Sequence, residues 1–246
     1  MDDIDSVLSH DEITFEEAVN YFKERIPVTA SEFYKIATKY RGLAFTVSGY
    51  TKAQILKKFY DELKSAIEDG TSFGTFKNAM NVFLESEGYE GMEPLQADNI
   101  FRTNVQTAFN AGHYEQMTQP AVLKARPYWQ YDAVNDKHTR KSHLAMDGKV
   151  FPADSPVWDT WYPPNGFRCR CSVRPLSKRQ VEQMNLQVET DLPRFGKLKN
   201  GHYVYIFPDP QFSNNAAKVR FKPDMTGYPE PLVKAYRQRE ETNNPL

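Results

Sequence analysis

The side chains best suited to chemistry in this chain are His138, His143, Cys169 and Cys171, which lie in one stretch from Trp129 to Val173. That stretch also holds all three tryptophans and both cysteines of the chain. Two imidazoles and two thiols make an acceptable tetrahedral zinc set. The spacing is not that of a zinc knuckle, whose Cys-x2-Cys turn aims both sulfurs at one ion. Cys169-x-Cys171 on a strand would put both thiols on one face, with less freedom to converge. If a metal is held, the expected ligands are His143, Cys169 and Cys171, with His138 the candidate fourth donor and the ion a structural zinc. The opposing reading makes both cysteines small buried apolar residues. The same groups suggest an alternative function, a metal- or cysteine-dependent hydrolase using His143 with Cys169 or Cys171. Other enzyme classes are excluded by missing motifs. There is no phosphate-binding Gly-x4-Gly-Lys-Ser/Thr, no Gly-x-Ser-x-Gly elbow and no His-Glu-x-x-His helix, and the His-x-Glu and Pro-Cys-x-x-Cys of zinc deaminases are absent. No catalytic residue is assigned.

The polar residues around this cluster suit a latch. Asp136, Thr139 and Asn165 can cap turns through their side chains, and Arg140 can pair with Asp136 or donate to loop carbonyls. Asp147-Gly148 is a turn signal, and Pro163-Pro164-Asn165-Gly166 fixes an irregular path. Trp158 and Trp161 read as core anchors.

Helices must carry this cluster from the N-terminal side. Thr14 with Glu17, Thr29 with Glu32, and Thr51 with Gln54 have capping-box spacing. They open runs whose apolar positions recur at helical intervals, the second ending near Gly42 and the third at Gly70. A fourth run carries Phe73, Phe76, Met80 and Phe83, and a fifth extends from Leu95 to about Met117. Arg102-Thr103-Asn104, midway along the fifth, reads as a solvated face. From Arg126 the period changes to two, giving a strand around Tyr128 to Ala133, a short helix from Ser142 to Ala145 and a second strand from Arg168 to Arg174. Ser177 with Gln180 starts a brief helix, Tyr203 to Phe207 forms a strand or hairpin arm, and the chain from Pro208 reads as an extended, partly irregular arm.

The 246 residues, 40% of them hydrophobic, suffice for a packed core. A net charge of −1 supplies no global basic field for nucleic acid. No apolar run approaches the ~18 residues of a membrane span, and the acidic start is unlike a secretory leader. The expectation is a protein that works where it is translated, in a reducing compartment, without a membrane or a small-molecule substrate.

The ordered set Asp136-x-x-Thr139-Arg140-x-x-His143, Asp147-Gly148, Trp161, Pro163-Pro164-Asn165-Gly166-x-x-Cys169-x-Cys171 resembles the signature of the phage Mu F-like minor head proteins. Phe101 to Ala108 with Ala111-Gly112 resembles the helix that precedes it, and the resemblance covers about residues 11–175. It implies a minor structural component of the virion head of a tailed phage or prophage, present in the bacterial host cytoplasm during assembly. It implies a role in head morphogenesis and in DNA packaging or ejection. The portal and other head proteins would be partners, with weak contact to packaged DNA. No established catalytic residues come with the family.

The expected fold is α+β: an N-terminal helical region (residues 1–120), a small mixed module of short strands and long loops (121–176) with helix 95–117 packed on it, and a partly irregular C-terminal extension (177–246).

Overall fold

The computed structural model describes residues 15–36, 44–192, 194–218, 229–231 and 233–234. Its architecture is α+β, with helices first and small sheets after them. In chain order the elements are α1 Glu16–Lys23, β1 Ile26–Pro27, α2 Ala30–Lys35, β2 Ala44–Phe45, α3 Ala53–Glu68, α4 Phe73–Ser86, α5 Pro94–Thr118 and α6 Pro120–Ala125. Then follow β3 Tyr128–Asp132, α7 Lys141–Met146, β4 Val150–Pro152, β5 Ser172–Leu176, α8 Lys178–Gln183 and the pair β6 Phe195–Lys197 and β7 Tyr203–Tyr205.

Helix starts follow local chemistry where the side chain reaches. Thr29 and Glu32 form a reciprocal capping box on α2, and Ser177 and Gln180 form another on α8. The box expected at Thr51 does not form. The cap of α3 is Lys52, without a side-chain hydrogen bond, so α3 relies on its buried stripe Ile55, Leu56, Phe59, Leu63 and Ala66. Gly70, with φ 68°, follows the end of α3 as expected. Thr14 and Gly42, expected to open the first helix and close the second, lie outside the described residues. α1 ends at Lys23, before the strand that follows. Ile26–Pro27 pairs in parallel with Ala44–Phe45.

Two hydrophobic clusters share α5. The first packs Phe22, Phe45, Ile55, Phe59, Leu63, Phe76, Met80 and Leu84 against Ala97 and Ala108. The second packs Trp129, Tyr131, Phe151, Trp158, Trp161, Tyr162 and Val173 with Met117. Around it, β3 is the central strand of an antiparallel sheet of order β4-β3-β5. Trp129, Gln130 and Tyr131 are all buried, so β3 is covered on both faces and its alternation does not divide inside from outside.

Two further expectations change. The strand expected from Arg168 begins only at Ser172, because Gly166 O accepts from the Cys169 amide and Arg168 has φ 58°, a left-handed conformation that breaks the ladder. The arm expected from Pro208 is docked through residue 218. Asn215 is buried, its amide donating to Asp159 O and its side chain to Trp158 O. Irregular chain becomes fixed wherever its polar groups find such partners.

α1 packs closely on α5 at Gly112. A Cβ on Gly112 would lie 2.5 Å from Ala18 N and 3.0 Å from its Cα. Gly112→Ala is expected to cost about 1–3 kcal/mol by forcing the helices apart, read as a lower urea midpoint at unchanged slope.

Candidate functional site

α5 positions the site. Thr103, Gln106, Asn110 and His113 follow the i, i+3, i+7, i+10 spacing of one helical face. This face meets the free edge of β5 and the segment leading into it. Gln106 Nε2 and Asn110 Nδ2 donate to Cys171 O at 3.4 and 3.3 Å, and His113 Nε2 lies 2.9 Å from Val173 O. Carbonyls two residues apart on an extended chain point the same way, so one polar stripe satisfies both. Thr103 Oγ1 accepts from the Arg168 amide, and Asp98 pairs with the Arg168 guanidinium at 2.6 Å. These contacts hold Arg168 in its left-handed conformation. Asn104 accepts from Arg25 at 3.0 Å, so Arg102-Thr103-Asn104 is not the solvated face expected: only Arg102 is exposed, paired with Asp98.

The latch residues come together between α7 and this segment. Asp136 accepts two hydrogen bonds from Arg170, at 2.7 and 2.8 Å, and one from the His138 amide at 2.9 Å. Thr139 Oγ1 donates to Val134 O and to Asp136. Arg140 takes the second of its two expected options: it donates to Phe167 O at 3.0 Å and pairs with Asp209 at 3.2 Å, leaving Asp136 to Arg170. Asp147 accepts from the Ala133 amide and from Asn135, and Gly148, at φ 79°, donates to Tyr131 O. Asn165 is fully buried, accepting from the Tyr131 hydroxyl at 2.9 Å and donating to Thr160 O and Tyr162 O. Pro163 and Pro164 are buried and joined by a cis peptide. A Cβ on Gly166 would stand 2.5 Å from Asp209 and 2.9 Å from Arg140, so only glycine admits that ion pair. Trp161 is buried edge-on against both Tyr131 and His143.

At the centre, His143, Cys169 and Cys171 are 1–3% exposed, and their ligand atoms lie within 4.8 Å of one another. His143 Nδ1 is 3.7 Å from Cys169 Sγ and 3.5 Å from Cys171 Sγ. His138 is exposed and lies outside this group. The thiols titrate as a pair. A hydrogen bond from Cys171 holds the Cys169 thiol well below the ordinary thiol range, with His143 lowering it further. Cys171, which keeps the shared proton, is pushed up by that bond and by burial. The strand expected to align the sulfurs is replaced by the Arg168 turn, yet Cys169, Cys171 and Val173 remain buried while Arg168, Arg170 and Arg174 stay exposed. A cavity of about 600 Å³ lies nearby, lined by Tyr21, Arg25, Thr103, Phe167 and Phe212 among others, and by none of the three central residues.

Sequence reasoning missed Asp98, Gln106, Asn110, His113, Tyr131 and Arg170. The signal available was the helical spacing of the α5 polar residues. Its target, a strand edge some 60 residues later, carries no local signature.

Residues 57–174 match the model of the family described as "Phage Mu protein F like protein". Over 159 residues the chain is 37% identical to the "Mu-like prophage FluMu F protein" of Haemophilus influenzae, an alignment covering 60% of this chain and 38% of that protein. Over 188 residues it is 33% identical to the "Putative capsid assembly protein F" of Escherichia phage Mu, covering 70% of this chain and 42% of the other. The chain thus spans less than half the length of these curated relatives. No solved structure matches it.

Two outcomes follow from the latch. Asn165→Ala strands the Tyr131 hydroxyl in the core and is expected to cost about 1–3 kcal/mol in denaturant unfolding. Arg170 first, then the His138 amide and Thr139, holds the Asp136 carboxyl well below the ordinary carboxylate value. Its contribution is therefore present above the unfolded value of about 3.9 and fades as pH falls from there toward the lower folded value. Urea midpoints should fall less steeply below pH 4 in Asp136→Asn than in the parent chain.

Proposed function

We propose, from the premise that residues 57–174 belong to the phage Mu F-like family, that this chain is a minor structural protein of a tailed-phage or prophage head. It acts in head morphogenesis beside the portal and other head proteins, in contact with DNA packaging or ejection, and works in the virion and in the host cytoplasm during assembly. The capsid-assembly name of the phage Mu relative supports this reading. So does the observation that carries it: the matched region runs from α3 through β5, taking in α5, the latch and the His143-Cys169-Cys171 centre as one interlocked unit. Such a unit spends its polar groups on its own backbone, as scaffolding does.

The rival reading is hydrolysis by His143 with Cys169 or Cys171. Its groups are in hydrogen-bonding reach, but the three are at most 3% exposed, and a nucleophile must touch its substrate. Burial favours the structural role. Contact with DNA is expected to be weak, because a net charge of −1 leaves few counterions to release. No helix among the described residues is long and apolar enough to cross a membrane.

The test is co-purification of a tagged full chain from a lysate of cells induced for its phage, probed for the portal protein and for sedimentation with heads. Enrichment of portal and head fractions is the expected outcome. A chain that stays apart from both while retaining its fold defeats the proposal. In a gel-shift series with duplex DNA, binding is expected to be weak at low salt and lost as salt rises.

A further inference from the structure

Two sulfurs converge on one ring nitrogen in the core of the mixed module. A neutral imidazole offers a single acceptor lone pair on its unprotonated nitrogen, so Nδ1 of His143 can accept from Cys169 or from Cys171 but not fully from both. A cation between the three atoms satisfies all of them. The dimensions agree: metal–sulfur and metal–nitrogen bonds of about 2.3 and 2.1 Å at a tetrahedral centre place nitrogen and sulfur about 3.6 Å apart. The observed separations are 3.7 and 3.5 Å.

All three side chains are 1–3% exposed, so an ion held between them would be shielded from water. His143 Nε2 has no partner among the described residues, so Nδ1 and the edge-on packing against Trp161 set the ring's orientation. Soft thiolates with an imidazole, in a closed pocket, select zinc over hard cations.

We propose that His143 Nδ1, Cys169 Sγ and Cys171 Sγ bind one zinc ion as a structural clip joining α7 to the segment before β5. The clip lies behind the Asp136–Arg170 and Arg140–Phe167 contacts, which span the same two segments. His138 is not a donor. The clip stabilises the module whether or not the chain captures portal protein.

The full chain, purified under reducing conditions without added metal, is expected to carry one equivalent of zinc by elemental analysis. Exchange for Co(II) should give thiolate-to-cobalt charge-transfer absorption. His143→Ala, Cys169→Ser and Cys171→Ser should each reduce retained metal to background, with His138→Ala keeping it. Should those three variants fail to fold, the parent chain still decides: both cysteines should resist alkylation until a chelator is added, and chelation should lower the melting temperature. A parent chain that retains neither zinc nor cobalt overturns the proposal. So does charge-transfer absorption that is absent, or metal lost equally in His138→Ala.

Discussion

The structure depends on how the free edge of one short strand is satisfied. In a sheet of order β4-β3-β5, one side of β5 has no strand partner among the described residues, and its carbonyls lie close to the core. Buried backbone groups without partners are costly, and exposed edges recruit other chains. Here a helix covers the edge. Gln106, Asn110 and His113 on one face of α5 serve the carbonyls of Cys171 and Val173, and Thr103 serves the amide of Arg168. The helix therefore sets the position of the strand, and with it the position of both thiols.

The same helix unites the two cores. Its small residues Ala97 and Ala108 let aromatic side chains of α1, α3 and α4 approach from one side, while Met117 enters the tryptophan-rich cluster at its far end. Gly112 brings α1 into backbone contact midway. α5 has a weak apolar stripe because it is buried against different chemistry along its length: apolar near Ala97 and Ala108, polar against β5. A helix with partners on several sides has no single polar face to show.

The centre illustrates how irregular backbone is made to hold a shape. Arg168 adopts a left-handed conformation that L-residues rarely enter, and four polar contacts from Asp98, Thr103 and the neighbouring Phe167–Arg140 and Asp136–Arg170 pairs surround it. The turn takes the chain out of the sheet long enough to aim Cys169 and Cys171 at one imidazole. The cis Pro163–Pro164 segment and the buried Asn165 complete the wall on the other side.

The α+β order, the α3, α4 and α5 helices, the capping boxes of α2 and α8, and the gathering of His143, Cys169 and Cys171 with the latch residues were all legible in the sequence. Each is set by local periodicity, by side chains reaching their own backbone, or by an ordered motif. The pairing choices were not legible. Sequence spacing left Arg140 two partners and His138 a place among the candidate ligands, and it extended β5 back to Arg168. It also left the polar run of α5 facing water. Only the tertiary structure assigned Arg170 to Asp136, placed His138 outside the His143–Cys169–Cys171 cluster, and gave Thr103 and Asn104 their partners in the Arg168 amide and Arg25. The reason is range: a hydrogen bond between residues 60 positions apart is decided by which surfaces the packed core brings together, and no local pattern of residue types encodes it.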